Sequence, residues 1–246
     1  MKPTGGKVGT WIKLPALESV QIAAYAGFAF VVVDTEHAPL DVRTVYELVT
    51  VADALGVAPL VRVPDGRASG IQRLLDAGAA GVLVPHVDTV EQARDVVRAV
   101  RFPPDGRRGA GGTSRAGRWG LLGLDEYVAD GAGALCVPQI ESRAAVDAAG
   151  AIAALDGVDA LFVGAADIGL DVGAAPSSPE VAELCGKVLA AAHEAGTPCG
   201  AATGTAAGAV GLLEQGFDFV VASNDTSMLA GAARTLVDTV RAGGVR

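Results

Sequence analysis

Eight times along this chain a short apolar run of β-type residues is followed by a stretch with helical spacing. That alternation restricts the fold more than any other feature. The apolar runs are Val8 to Ile12, Phe28 to Val33, Ala58 to Val63, Gly81 to Val84, Ala134 to Ile140, Ala160 to Val163, Pro198 to Ala201 and Phe219 to Ala222. Helical segments begin near Leu17, Asp41, Ser69, Thr89, Ser142, Pro179 and Thr205, and a last one runs from about Ser227 to Ala242. Ser178 before Pro179 marks a helix start, and Gly56, Gly78 and Gly196 mark helix ends. An open doubly wound sheet could use the same alternation. The count of eight, the length of 246 residues and the lack of a glycine fingerprint after the first strand favour closure. The expected fold is therefore α/β, a single (β/α)8 TIM barrel forming one domain over residues 1–246.

Half of the residues are hydrophobic and only 4% are aromatic, so Ala, Val and Leu are expected to fill the core between parallel strands and helices. The net charge of -9 gives no general attraction to nucleic acid phosphates, which leaves small molecules as the expected partners. No run is long and apolar enough to span a bilayer, and Met1 to Pro15 lacks the apolar centre of a signal peptide, so a cytoplasmic location is the default. Cys136, Cys185 and Cys199 are scattered, odd in number and without metal spacing; they are expected to be reduced, buried thiols.

In such a barrel the site lies at the C-terminal ends of the strands. The fifth and sixth strands with their helix form one βαβ unit, which brings Glu141 and Asp167 to one mouth beside the Gln139 amide. Two carboxylates and an amide suit a hard divalent cation; each acid could instead cap a helix. After the second strand comes Asp34-Thr35-Glu36-His37, where Asp34 could orient the His37 imidazole as a general base. Arg62, embedded in an apolar strand, needs an anion: a substrate carboxylate, a developing oxyanion, or a salt bridge with Glu36 or Glu141. His86 ends the fourth strand and could be a ligand, a substrate contact or a packed side chain, whereas His193 belongs to a helix surface.

Lysine is scarce. Of Lys2, Lys7, Lys13 and Lys187 only Lys13 follows a strand, so an electrophilic metal is a more economical enolate stabiliser than a Schiff base. The Gly- and Arg-rich connection from Phe102 to Leu124 is too long for an ordinary barrel loop and reads as an active-site loop, a subunit-contact loop or a mobile surface loop.

Ordered motifs over nearly the whole chain resemble the HpcH/HpaI family of metal-dependent pyruvate aldolases. They include Gly9-Thr10-Trp11, Asp34-Thr35-Glu36-His37-Ala38-Pro39, Val61-Arg62-Val63-Pro64, Arg73-Leu74-Leu75-Asp76-Ala77-Gly78, Phe102-Pro103-Pro104-Asp105-Gly106-Arg107-Arg108-Gly109, Gln139-Ile140-Glu141-Ser142-Arg143 and Ala166-Asp167-Ile168. The resemblance implies a TIM barrel, usually hexameric or trimeric with an exchanged C-terminal helix. It implies cleavage of a 2-keto-4-hydroxy acid to pyruvate, or a related 2-keto acid, and an aldehyde. Glu141 and Asp167 would hold Mg²⁺, Mn²⁺ or Co²⁺, and Gln139 would face the metal or its waters. Arg62 would contact the keto oxygen, His37 with Asp34 would move the proton, and backbone amides of Gly164, Ala165, Ala166 and Asp167 would hold the carboxylate. Oxaloacetate decarboxylation, biosynthetic carbon–carbon bond formation and a noncatalytic keto-acid-binding barrel are the competing readings.

Departures fall where substrate is selected. Met is common where His86 stands, Gly169 replaces a serine, and Ala201-Ala202-Thr203-Gly204 and Ser223-Asn224-Asp225 are unusual.

Overall fold

Parallel strands buried on both faces close here into an unbroken ring. The structure, a computed structural model, describes residues 7–243, so Lys2 and most of the stretch before Val8 lie outside the described residues. In chain order the elements are β1 (Val8–Ile12), α1 (Leu17–Tyr25), β2 (Phe30–Asp34), α2 (Val42–Ala54), β3 (Ala58–Arg62), α3 (Ala68–Asp76), β4 (Gly81–Val84) and α4 (Val90–Val100). Next come α5 (Leu124–Gly131), β5 (Leu135–Ile140), α6 (Arg143–Ala153), β6 (Leu161–Val163), α7 (Ala165–Val172) and α8 (Pro179–Glu194). The chain ends with β7 (Cys199–Thr203), α9 (Ala206–Glu214), β8 (Phe219–Asn224) and α10 (Asp225–Ala242). Each strand pairs in parallel with the next, and β8 closes on β1. The fold is the (β/α)8 barrel that the alternation predicts.

Local chemistry sets the boundaries. Asp41, Thr89, Ser142, Ser178, Thr205 and Asn224 each accept a backbone N–H from the first turn of the helix that follows. Each such cap is worth about 1 kcal/mol. Two short helices, α5 and α7, lie outside the eightfold count, because eight residues are too few for a helical period to stand out.

The core has two layers. Val, Ile, Leu and Ala fill the space between barrel and helices as expected. Inside the barrel, however, the scarce aromatics concentrate: Trp11 packs edge-on against Phe162 at 5.8 Å, and Phe219 lies between Phe30 at 6.0 Å and Phe162 at 6.2 Å. Glycines make the room. A Cβ on Gly9 would stand 2.4 Å from the Phe30 ring, and one on Gly200 would stand 2.2 Å from that of Phe219.

The long connection runs from the end of α4 to β5, so it lies at the N-terminal face of the barrel. Arg115 reaches Asp53 at the end of α2, Arg108 reaches Asp76 at the end of α3, and Tyr127 donates to Asp76. This corrects the active-site alternative for that loop, which faces away from its own barrel's mouth. No helix among the described residues is long and apolar enough to cross a membrane.

Candidate active site

The mouth at the C-terminal strand ends holds a cavity of about 480 Å³, whose lining includes Trp11, Lys13, His37, Arg62, Gln139 and Asp167. Its far wall is Phe162, Ala202, Thr203, Gly204, Ser223 and Asn224. Of the unusual residues, Ala202 and Thr203 at the end of β7, Gly204 just after it, and Ser223 and Asn224 on β8 therefore line the cavity, whereas Ala201 and Asp225 do not.

Register explains the charged centre. Asp34 and Arg62 are paired neighbours on β2 and β3, so two buried ends of adjacent strands carry opposite charges side by side. Arg62 Nε donates to Asp34 Oδ1 at 2.9 Å and its terminal nitrogen to Oδ2 at 2.8 Å, a bidentate fork. The other terminal nitrogen lies 3.0 Å from Glu36 Oε2, and the guanidinium stacks 4.3 Å above Trp11. Lys13 adds a second cation, its Nζ 2.5 Å from Asp34 Oδ2.

Burial pushes the Asp34 carboxyl upward, but the hydrogen bonds from Arg62 and Lys13 outweigh it and hold the pKa down at about 2. The Arg62 salt bridge is thus with Asp34 and Glu36 rather than with Glu141.

The expected Asp34–His37 dyad is corrected. Asp34 Oδ1 accepts the backbone N–H of His37 at 3.2 Å, and both carboxylate oxygens are already engaged by Arg62, Lys13 and the turn. The imidazole of His37 points away, 58% exposed, with Nε2 3.6 Å from Glu36 Oε2. His37 still lines the cavity, but Asp34 fixes its backbone and not its ring.

Glu141, only 4% exposed, stands beside the cavity wall at the end of β5. Gln139 donates its amide to Glu141 Oε2, while Gln139 Oε1 is buried without a hydrogen-bond partner. Gly164 keeps this corner open, because a Cβ there would stand 2.9 Å from Glu141 Cβ and 3.2 Å from Gln139 Nε2. Burial raises the pKa of Glu141, and the charges of Glu36 and Asp167 act in the same direction.

Asp167 sits half-buried in the first turn of α7. In that turn the first N–H to bond back is Ile168 to Gly164 O, so the amides of Ala165, Ala166 and Asp167 belong to the unpaired end of the helix, whereas the expected Gly164 amide is corrected: it already donates to Ile140 O at 2.9 Å.

His86 is drawn onto the same carboxylate. Its backbone N–H donates to Glu141 Oε1 at 2.6 Å, its Nδ1 lies 2.9 Å from that oxygen, and its Nε2 is 3.2 Å from Glu36 Oε1. This needs a left-handed backbone at His86, φ 57°, a conformation that costs a non-glycine residue about 1 kcal/mol or more and is typical of functional sites. Glu36, His86 and Glu141 together present donor atoms within 4.8 Å of one another, a group able to hold a metal ion.

The sequence therefore brings Gln139, Glu141, Asp167, Arg62 and His37 to one mouth, and it understated Glu36, Lys13 and Trp11. The strand-end rule that picked Arg62 applies equally to Lys13, which follows β1 directly.

The sequence and the fold have counterparts among known proteins. Residues 7–232 match the family model for HpcH/HpaI aldolase/citrate lyase. The chain is 39% identical to the hydroxypyruvate/pyruvate aldolase of Chromohalobacter salexigens, over 94% of this chain and 92% of that one. It is 34% identical to the 5-keto-4-deoxy-D-glucarate aldolase of Salmonella arizonae, over 96% and 92% respectively. A solved structure of an HpcH/HpaI aldolase/citrate lyase family protein from Burkholderia cenocepacia superposes with a TM-score of 0.89 at 35% identity, covering 95% of this chain and 94% of that one. The chain belongs to the HpcH/HpaI aldolase/citrate lyase family and is an enzyme of the lyase class.

Proposed function

We propose that this enzyme reversibly cleaves a 2-keto-4-hydroxy acid into pyruvate or a closely related 2-keto acid and an aldehyde, with a divalent metal at Glu141 and Asp167. The observation that carries the reading is the orphaned Gln139 Oε1, buried beside Glu141, on a residue that lines the cavity with Asp167 and Arg62. A buried amide oxygen without a partner is costly, and a cation or its water relieves that cost. Oxygen donors of this kind suit Mg²⁺, Mn²⁺ or Co²⁺. The aldolase name carried by the 39% identical relative supports pyruvate or hydroxypyruvate as the donor.

Each residue then has a role that its surroundings permit. The unpaired amides at the start of α7, Ala165 to Asp167, receive the carboxylate of the keto acid. Arg62, held by Asp34 and stacked on Trp11, keeps its guanidinium fixed beside the cavity and hydrogen-bonds the keto oxygen as negative charge grows there. A divalent metal, when bound, supplies Lewis-acid polarisation of the same keto group. His37, exposed and free of Asp34, takes the 4-hydroxyl proton directly or through one water. Phe162, Ala202, Thr203 and Ser223 form the wall where the aldehyde leaves.

The assembly is proposed as a homo-oligomer, a trimer or hexamer, in which α10 packs on a neighbour. Beyond its first turn α10 is exposed on its own barrel, with Leu229 at 64% and Leu236 at 68%. Trp119, Leu121 and Leu124 form a second exposed apolar group on the long loop, in keeping with a subunit-contact role.

Pyruvate methyl-proton exchange in D₂O, followed by NMR, tests the chemistry without knowledge of the aldehyde. Exchange is expected only with added Mg²⁺, Mn²⁺ or Co²⁺, and to be lost in Glu141→Ala and Asp167→Ala. Full exchange in both variants would sink the assignment.

A further inference from the structure

We infer that His86 ligates the metal beside Glu141, bound through Nδ1, with Glu36 as the carboxylate that orients its ring. The inference rests on the metal reading of Glu141 given above and extends it to two residues that the sequence left open or used only as an ion-pair partner.

The distances carry the argument. Two donors bonded to one cation at about 2.0–2.2 Å and at right angles stand about 2.8–3.1 Å apart. His86 Nδ1 and Glu141 Oε1 are 2.9 Å apart, the edge of such a coordination shell. Nε2, on the opposite side of the ring, lies 3.2 Å from Glu36 Oε1. A neutral imidazole has one N–H, and given to Glu36 through Nε2 it leaves Nδ1 as a lone-pair donor facing Glu141.

Carboxylate, imidazole and metal in that order form the usual outer-shell arrangement of metal-binding histidines. The other oxygen of Glu36 forms an ion pair with Arg62 at 3.0 Å without a hydrogen bond, so the ring shares its carboxylate with the residue that faces the substrate.

The His86 ring is 67% exposed, and two further features point to a ligand. The left-handed backbone at His86 turns both its N–H and its ring back onto one carboxylate oxygen. Gln139, 2% exposed and hydrogen-bonded to the other oxygen of Glu141, keeps Oε1 unpartnered at the same corner. An imidazole nitrogen among oxygen donors shifts preference from Mg²⁺ toward borderline cations such as Co²⁺ and Zn²⁺.

The test is pulsed electron paramagnetic resonance on the metal-stripped full chain reloaded with Mn²⁺. The native protein is expected to show coupling of Mn²⁺ to a coordinated imidazole ¹⁴N. That coupling should vanish in His86→Met and in His86→Asn, the second chosen because Asn tolerates a left-handed backbone. Competition binding should show the ratio of Co²⁺ to Mg²⁺ affinity falling about tenfold or more in both variants. Bound Mn²⁺ without ¹⁴N coupling in the native protein, or with coupling unchanged in both variants, would overturn the inference. Absence of Mn²⁺ binding by the native protein would remove the Glu141 metal site itself and this inference with it.

Discussion

Two arginines, one at each end of the barrel, are pinned by a neighbouring aspartate, and they differ in what remains unsatisfied around them. At the N-terminal face Arg101 donates to the carbonyls of Ala132, Ala134 and Gly157 and to Asp159, and Asp159 also accepts the N–H of Cys136. That network ties the long loop to β5 and ends in protein on every side. At the mouth Arg62 is held as firmly by Asp34, yet its surroundings include an unpartnered Gln139 Oε1, a carboxylate whose protonation burial favours, and an open cavity. Closed polar networks stabilise, whereas a network left open toward a cavity is arranged for something that arrives later.

The largest effect should come from exchanging the fork for a point charge at the mouth. Arg62→Lys keeps the charge beside Asp34 but cannot hold a bidentate pair and reach the keto oxygen together. Metal-dependent pyruvate exchange is expected to fall about 10²- to 10³-fold, with little change in the urea midpoint. The reverse is expected at the other end. Arg101→Ala should lower the unfolding free energy by about 3 kcal/mol, since it strands Asp159 and three carbonyls, with exchange per folded molecule retained. Equal losses of turnover in both variants would erase the distinction between the two ends.

The pH dependence of stability sharpens the same contrast. Asp34 titrates at about 2 in the folded protein against an ordinary 3.8, so the folded state binds that proton less tightly. Its contribution is fully present above about pH 4 and disappears as the pH falls from there to 2, a loss of roughly 2 kcal/mol. The stability difference between native protein and Asp34→Asn should therefore shrink over that window in urea titrations. A difference that stays constant down to pH 2 would show that Arg62 and Lys13 do not hold the carboxylate as described.

How much of this was legible in the sequence depends on the range of the interaction. Strand and helix order follow from local periodicity and caps, which is why Asp41, Thr89 and Ser142 start helices where expected. The topological rule alone brings Glu141 and Asp167 to one mouth. What sequence spacing misjudged was partner choice. Asp34 lies three residues before His37, but parallel registration places Arg62 closer, and a buried carboxylate takes the guanidinium in preference to a solvent-facing imidazole. His86 was ambiguous for a related reason: its contacts are to Glu36 and Glu141, which follow β2 and β5, and its left-handed backbone leaves no mark in residue type. The long loop was misplaced in one alternative because length signals a function without saying which face carries it.

The smallest expected effect probes how closed the N-terminal face is. Burial pushes the Cys136 thiol up to about 12, with the nearby charges of Arg101 and Asp159 opposing each other, so it carries almost no thiolate near neutral pH. Cys199 is likewise pushed up to about 12 by burial, whereas Cys185 is only partly buried. Labelling of Cys136 by a disulfide reagent at pH 8 should therefore be negligible in the native protein. Its N–H is anchored to Asp159, which Arg101 holds, so Arg101→Lys should open this corner locally and allow slow labelling at position 136. Arg62→Lys should leave Cys136 protected, because its change is confined to the mouth. Labelling at Cys136 that rises equally in both variants would mean that the two ends unfold as one unit, and that the contrast between a closed and an open network describes their chemistry but not their stability.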